Sequence, residues 1–184
     1  MRSIKLNNKL VGDTEPCYFI AEIGSLFKNF EEAKRLIDSA VEIGINAVKF
    51  QTFEAETITT KNNFFNMKNT GKISQYELFK KCEISKELQM EVTNYANKKG
   101  ITIFSAPSHI RDLDIMEKMD LPIYKIGSDL ACHIPLLKEV GKLGKPIILS
   151  TGMCSLEEIK NSVDAILSTG NDQLIILHCV SDYP

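Results

Sequence analysis

The stretch Asn46-Ala-Val-Lys-Phe-Gln-Thr-Phe53 carries the pattern that decides the fold expected of this chain. Its β-branched and aromatic residues are typical of a buried strand, yet Lys49 lies in the middle of it. Side chains alternate along a strand, so Lys49 and Gln51 point to one face while Val48 and Phe50 point to the other. Because a buried ammonium group without a partner is costly, we expect an anion beside Lys49.

A second predicted strand, Ile123-Tyr-Lys-Ile-Gly-Ser128, repeats this arrangement, with Lys125 followed by a glycine and a hydroxyl group. Two strand lysines with small or polar residues after them predict one anion site that both of them form. The alternative is that either lysine extends past its strand end to a surface acid, as long side chains readily do. The repetition of the pattern favours the anion site.

Six predicted strands alternate with five predicted helices along the chain. The strands cover residues 18–24, 46–52, 101–106, 123–128, 147–151 and 174–179, and the helices lie within residues 30–44, 85–100, 109–119, 135–143 and 155–167. This alternation is typical of a parallel α/β protein. A doubly wound sheet is an alternative, but no Gly-x-Gly-x-x-Gly follows the first strand.

Polar residues recur where the predicted strands end: Glu22, Gln51, Ser105, Ser128, Ser150, Thr151 and Ser181. A (β/α)8 barrel places its active site at this end of its strands. We therefore predict an α/β fold of the TIM-barrel type, of which residues 1–184 supply one domain with only about six βα units.

Residues 54–83 form the longest interruption of this repeat. They are mostly polar, carry the pair Phe64-Phe65 and predict one short helix at residues 75–81. Loops of this length in a compact domain are usually functional. The aromatic pair fits a lid or a simple anchor of the loop, and the sequence does not separate the two.

The composition limits which binding partners and which cellular compartment we expect for this protein. The net charge is −2, which gives no general attraction to nucleic acid or to a membrane surface. Five cysteines without a Cys-x-x-Cys pair predict reduced thiols and a cytoplasmic protein. Residues 1–10 lack the apolar core of a secretory signal, and no apolar run approaches the ~20 residues that span a bilayer.

The motifs taken together resemble the sialic acid synthase (N-acetylneuraminate synthase) family. The resemblance rests on Phe19-Ile-Ala-Glu-Ile-Gly24, Ala47-Val-Lys-Phe-Gln-Thr-Phe53, Tyr124-Lys-Ile-Gly-Ser128, Gly144-Lys-Pro-Ile-Ile-Leu-Ser-Thr-Gly-Met153 and His178-Cys-Val-Ser-Asp-Tyr-Pro184. It implies a transferase that condenses phosphoenolpyruvate with an N-acetylmannosamine-type aldose and releases phosphate. The product would be a nine-carbon 2-keto acid sugar of the sialic, legionaminic or pseudaminic type. The family adds an antifreeze-like domain to its barrel, which we do not expect within residues 1–184.

The resemblance also implies roles for individual residues. Glu22 and Asp129 would be catalytic, and the substrates would contact Lys49, Gln51, Lys125, Ser128, Ser150, Asp182 and Tyr183. Among these, the two lysines and two serines would hold phosphoenolpyruvate, and Asp182 and Tyr183 would face the sugar. A divalent metal, manganese or magnesium, would polarise the aldehyde as a Lewis acid, with ligands beyond Pro184. The full-length protein would be a homodimer.

The sequence departs from the family pattern on the sugar and metal side. Ser25-Leu-Phe-Lys-Asn29 replaces an Asn-His-Asn-Gly motif, and Ala106 replaces a hydroxyl residue before a proline. Leu130 stands where the family has an acid, with Asp129 one residue early. Asp182 replaces an asparagine. These changes leave the phosphate-binding residues in place and put the sugar-binding part in question.

Several residues have a structural interpretation beside the functional one. Glu22 is either catalytic or the ion-pair partner of one lysine, and both remain open. His178 is interpreted as a hydrogen-bonded core residue rather than a metal ligand, and His109 and His133 as surface or rim residues at helix starts. Cys132 and His133 are rejected as a nucleophile pair because adjacent helical residues do not face each other.

Two other functions remain open beside the synthase. One is a non-catalytic fragment or remnant that binds a phosphorylated ligand, and the other is an aldolase that forms a Schiff base with a strand lysine. Whichever applies, we expect the 184-residue chain by itself to lack synthase activity, since the metal ligands that the resemblance implies are not among its residues.

Overall fold

The computed structural model describes residues 3–24, 26–67 and 71–182. Its strands are β1 (Ser3–Leu6), β2 (Lys9–Gly12), β3 (Ile20–Glu22), β4 (Ala47–Thr52), β5 (Phe64–Met67), β6 (Gly71–Ser74), β7 (Thr102–Pro107), β8 (Tyr124–Ile126), β9 (Ile147–Ser150) and β10 (Leu174–Leu177). Its helices are α1 (Phe30–Glu42), α2 (Ala55–Ile58), α3 (Gln75–Cys82), α4 (Lys86–Lys99), α5 (Asp112–Lys118), α6 (Ile134–Lys142) and α7 (Leu156–Leu167), with a 3₁₀ turn at Ser128–Leu130.

The central feature is a curled six-stranded sheet with the order β3-β4-β7-β8-β9-β10. All neighbouring strands in it are parallel, and they follow one another in chain order. Sequential order is that of a barrel, whereas a doubly wound sheet reverses direction part of the way across. The predicted TIM-barrel type of fold is therefore confirmed, with six parallel strands of it present in the described residues.

The helices begin and end where the sequence provides caps. The Asn29 side chain accepts a hydrogen bond from the Glu32 backbone N–H at the start of α1. Ser155 and Glu158 form a reciprocal capping box at the start of α7. α4 ends at Gly100, whose φ of 75° lies in the left-handed region that glycine adopts without strain. Local capping therefore fixes the alternation of helices with strands.

The N-terminal residues form a hairpin, β1-β2, that the sequence analysis did not predict. Its Leu6 is 1% exposed and packs in a cluster of buried residues from four sheet strands: Ala47, Phe104, Ile123 and Ile148. The Asn7 side chain donates to Thr102 Oγ1 at 3.1 Å. Because Ala47 and Thr102 begin their strands, the hairpin covers the amino-terminal end of the sheet, opposite the strand ends that carry polar residues.

Residues 54–83 are more regular than predicted. The helix expected at residues 75–81 is α3, but α2 and the antiparallel hairpin β5-β6 precede it where an irregular loop was expected. The Phe65 ring stands edge-on to Phe79 at 5.9 Å, and Phe79 contacts Phe53 in the same way at 6.0 Å. These contacts support an anchoring role for Phe65.

Four of the six predicted strands extend one or two residues too far at the functional end, whereas β4 ends at Thr52 as predicted and β7 extends one residue further, to Pro107. The first was expected over residues 18–24 and is β3, Ile20–Glu22, and the fourth was expected to reach residue 128 but ends at Ile126. After each strand the backbone turns and leaves the sheet. No helix in the described part of the chain is long and apolar enough to cross a membrane.

Candidate anion site at the carboxyl ends of the strands

A cavity of about 680 Å³ opens at the carboxyl ends of the parallel strands. It brings together most of the site residues predicted from the sequence: Glu22, Lys49, Gln51, Lys125, Ser128, Asp129 and Ser150. Asp182 is exposed and is not among the described residues that line this cavity. Tyr183 lies outside the described residues.

Lys49 and Glu22 form an ion pair across two neighbouring strands. They are register partners in the β3–β4 pair, so their side chains leave the sheet side by side. Lys49 is 8% exposed, and its Nζ lies 2.7 Å from Glu22 Oε2. The other carboxylate oxygen of Glu22 accepts the Gly24 backbone N–H at 2.8 Å. This geometry supports the interpretation of Glu22 as the partner of a lysine.

Lys125 has a different environment. Its ammonium group donates to the Ile126 carbonyl at 2.7 Å and to the Ser150 hydroxyl. In the described part of the chain no carboxylate pairs directly with it. Burial, and after it the positive charge of Lys49, lowers the pKa of Lys125 from 10.5 to about 8. Neutral oxygens therefore solvate the Lys125 ammonium group only in part. An anion in the cavity would complete its set of hydrogen-bond partners.

Ser128 connects the loop after β8 to the loop after β9. It begins the 3₁₀ turn, and its hydroxyl accepts the Gly152 backbone N–H at 3.0 Å. A Cβ atom at position 152 would lie 3.0 Å from the Ser128 oxygen and closer still to Ser181 Oγ. Only glycine allows this approach, so Gly152 lets two polar loops meet at the cavity wall.

Cys179 is a cavity residue that the sequence analysis did not assign to the site. It follows the end of β10, and a hydrogen bond with the Ser150 side chain lowers the pKa of its thiol. The backbone of Thr151, Ser128 and the charge of Lys125 act in the same direction. The available signal was its position as the last residue of the predicted sixth strand, since polar residues lie at the ends of the other predicted strands.

Four apolar residues also line the cavity: Ala106, Pro107, Leu130 and Met153. Two of them, Ala106 and Leu130, are positions where the sequence departs from the family pattern. Ser105 points the other way and is fully buried, with its hydroxyl 2.7 Å from Thr52 Oγ1. The cavity lining therefore combines charged and hydroxyl-bearing side chains with apolar ones.

The histidines lie away from the cavity. His133 caps α6 through a hydrogen bond from Leu136 N–H to its Nδ1, and it is exposed, as predicted for a helix start. His178 is also exposed, so its interpretation as a core residue is wrong. The strand that was expected to continue through residue 179 ends at Leu177, and His178 turns outward. Cys132 contacts the Cys154 thiol and does not form a dyad with His133.

The divalent metal that the resemblance implies does not fit the residues described. Within residues 3–24, 26–67 and 71–182 no three His, Cys, Asp or Glu side chains form a group that could hold a metal ion. In the cavity, the Glu22 carboxylate is engaged with Lys49 and Gly24. We therefore derive no chemical step through a metal, and the placement of its ligands beyond Pro184 stays a prediction.

A second cavity, of about 770 Å³, lies between α3, the start of α4 and α5. It is slightly larger, but two of its lysines have carboxylate partners in the wall. Lys80 pairs with Glu83 at 2.7 Å, and Lys86 pairs with Glu54 at 3.5 Å. All three lysines of its lining are exposed, whereas Lys49 is buried and Lys125 is half-buried, so size alone does not make it the better candidate site.

The fold is an α/β fold of the TIM-barrel type, and its cavity at the carboxyl ends of the strands is lined by Lys49 and Lys125. The match to known proteins is more specific: the model of the NeuB family matches residues 36–184, and the chain belongs to that family. This confirms the resemblance to sialic acid synthases found in the sequence.

The chain is similar over its full length to an uncharacterized protein of Methanocaldococcus jannaschii, with 39% identity and 52% of that relative covered. It is 33% identical to the N,N'-diacetyllegionaminic acid synthase of Legionella pneumophila over 94% of this chain and 51% of the relative. The crystal structure of the N-acetylneuraminic acid (sialic acid) synthetase from Leptospira borgpetersenii superposes with a TM-score of 0.88 at 31% identity, covering all of this chain and 61% of that one. The chain spans about half the length of the relatives it matches.

Proposed function

We propose that this chain supplies the phosphoenolpyruvate-binding part of a NeuB-type synthase. The reaction would join phosphoenolpyruvate to an N-acylated mannosamine-type aldose, release phosphate and give a nine-carbon 2-keto acid sugar. The observation that carries the proposal is Lys125, a half-buried ammonium group at the cavity whose hydrogen-bond acceptors within the described residues are neutral oxygens. The names of the Legionella and Leptospira proteins support the class of product.

The residue types of the cavity suit this substrate. Phosphoenolpyruvate carries a carboxylate and a phosphate, and a phosphate monoester has nearly two negative charges at neutral pH. Lysines serve as point charges for such groups, and hydroxyls such as those of Ser128 and Ser150 add donors. The same two lysines would stabilise the charge of the phosphate as it leaves.

The remaining roles follow the resemblance and are part of the proposal. Gln51 and Asp129 line the cavity; Gln51 would contact substrate, Asp129 would be catalytic, and Asp182 and Tyr183 would face the sugar. Glu22 would act by fixing Lys49 rather than as an acid or base, because its carboxylate is already paired. A divalent metal and a homodimer belong to the full-length protein in this proposal.

A titration of phosphoenolpyruvate by calorimetry tests the anion site. We expect Lys49→Ala and Lys125→Ala each to weaken binding about tenfold or more, because a charge-assisted hydrogen bond contributes roughly 1.5–3 kcal/mol. Lys142→Ala is the matched control, since this lysine is exposed on α6 and pairs with Glu139. Lys125→Arg should not restore full affinity, because a planar guanidinium does not replace a point charge. Unchanged binding in both alanine variants would remove the basis of the proposal.

An aldolase that forms a Schiff base is the second candidate, favoured by one observation. The lowered pKa of Lys125, about 8, leaves part of this amine uncharged near neutral pH, as a Schiff-base lysine requires. Borohydride reduction in the presence of pyruvate separates the candidates. A covalent adduct on Lys125 would support the aldolase, and its absence alongside phosphoenolpyruvate binding would support the synthase.

The inactivity of the 184-residue chain by itself also stays a proposal. The assay is release of phosphate from phosphoenolpyruvate that depends on an N-acetylmannosamine-type sugar, with manganese or magnesium added. We expect no sugar-dependent release. Turnover under these conditions would show that the described residues suffice, and Glu22 and Asp129 would be the first carboxylates to replace.

A further inference from the structure

Two free thiols meet beside the cavity, and nothing in the proposed function uses them. Cys132 Sγ lies 3.8 Å from Cys154 Sγ, although the two residues are 22 positions apart in the sequence. Cys132 follows the 3₁₀ turn that begins at Ser128, and Cys154 lies between β9 and α7. The described residues contain no third ligand that would make this pair a metal site.

The distance is short enough for a covalent bond after small rotations. Sulfur atoms in a disulfide are separated by ~2.05 Å, so the two must approach by less than about 2 Å. The loops that carry them already touch through the hydrogen bond from Gly152 N–H to Ser128 Oγ, 3.0 Å long. The two thiols therefore lie on loops that are already joined next to them.

The two thiols differ in accessibility, which sets the order of reaction. Cys132 is exposed, so a small reagent can reach it. Cys154 is half-buried, packs against the main core and donates to the Gly152 carbonyl at 3.4 Å. Burial, and after it the hydrogen bond with Cys132, raises the pKa of the Cys154 thiol. Cys132 is thus the thiol that reacts first, and Cys154 is the thiol that then attacks the mixed disulfide formed on Cys132.

From this geometry we infer that Cys132 and Cys154 form a modification site, a dithiol that closes to an intramolecular disulfide by exchange with a small disulfide such as oxidised glutathione. The Cys132 thiolate attacks one sulfur of glutathione disulfide and releases one glutathione thiolate. The Cys154 thiolate then attacks Cys132 Sγ in the mixed disulfide and releases the second. The protein loses two electrons and two protons, and glutathione disulfide becomes two glutathione thiols.

The bond would fix the wall of the cavity. It would tie the loop of Ser128 and Leu130 to the loop of Gly152 and Met153, and Ser128, Leu130 and Met153 line the cavity. The oxidised protein should therefore show slower hydrogen exchange at the Gly152 amide than the reduced protein, because opening of the two loops is restricted.

Incubation of the 184-residue chain with oxidised glutathione, followed by alkylation and peptide mapping, tests the inference. We expect a peptide pair joined through Cys132 and Cys154, reversible by dithiothreitol. Cys154→Ser should instead accumulate glutathione on Cys132, and Cys132→Ser should form neither product. Cys17→Ser is the matched control, since Cys17 is also exposed and should leave the joined peptides unchanged.

Two results would overturn the inference. The first is a mapped protein in which Cys132 and Cys154 stay alkylatable while Cys17 reacts with glutathione. The second is a stable glutathione adduct on Cys132 of the unsubstituted chain without resolution by Cys154. Both readouts are independent of phosphoenolpyruvate binding, so a failure of the proposed function would not affect them.

Discussion

Lys49 and Lys125 share a cavity but differ in how their charges are balanced. Lys49 has a carboxylate 2.7 Å away on the neighbouring strand. Lys125 has the Ile126 carbonyl and the Ser150 hydroxyl, and its pKa is lowered to about 8. A carboxylate of the protein thus neutralises Lys49, whereas a bound anion would neutralise Lys125.

The titration of Lys125 predicts the pH dependence of phosphoenolpyruvate binding. Its pKa lies below the usual value, so the ammonium group loses its proton as the pH rises through about 8, and the affinity should fall with it. The phosphate itself stays dianionic from about pH 7 upward, because its second pKa is ~6. Calorimetric titrations at pH values on either side of 8 measure the effect.

Two variants separate the contributions to this pH dependence. Lys125→Arg keeps its charge throughout, so the affinity that it retains should not show the fall. Cys179→Ser removes a cavity thiol whose pKa a hydrogen bond with Ser150 lowers, since a thiolate there would also repel an anion. A fall that persists in Lys125→Arg and disappears in Cys179→Ser would assign the titration to the thiol.

The hairpin β1-β2 shows how a short element closes one end of the sheet. One of its residues, Leu6, reaches the cluster of Ala47, Phe104, Ile123 and Ile148, while Leu10 on the second strand is 50% exposed. With the amino-terminal end covered by apolar residues, the polar strand ends at the opposite side form the open mouth of the barrel.

The two leucines give a matched test of that role. Leu6→Ala should lower the free energy of unfolding by about 2–5 kcal/mol, because it removes a buried side chain and leaves a cavity. Leu10→Ala should change it by about 0.5 kcal/mol or less, as exposed positions usually do. Urea denaturation followed by circular dichroism measures both. Equal effects of the two substitutions would mean that the hairpin does not contribute to the core.

The described sheet has two edges, since β3 and β10 each pair with only one neighbouring strand. Apolar side chains lie exposed at both: Phe19, Ile20, Ile176 and Val180. Edge strands present unpaired backbone groups that invite pairing with another chain. The 184-residue chain should therefore associate as its concentration rises.

Light scattering at increasing protein concentration tests the association. Ile176→Lys should reduce it, because a charge on an edge strand opposes strand pairing and the side chain is 47% exposed. Leu156→Lys is the control, since Leu156 is also exposed but lies at the start of α7 and not on an edge strand. A monomer at all concentrations, or equal effects of both substitutions, would contradict the prediction.

Local patterns in the sequence determined the βα alternation, the helix caps and the position of both lysines within strands. Helix starts such as Asn29 and Ser155 depend on hydrogen bonds within one turn, so short-range sequence is enough to predict them. Side chains two residues apart in a strand point to the same face, so Lys49 could be assigned to the cavity face together with Gln51.

Contacts between distant segments decided the rest. The pairing of Glu22 with Lys49 depends on the register of β3 against β4, and a shift of one residue would turn either side chain away. For the same reason Ser105 faces a buried hydroxyl network while Ala106 lines the cavity. The approach of Cys132 to Cys154 and the place of Leu6 in the core likewise require the folded chain, because packing and register join residues that no local pattern relates.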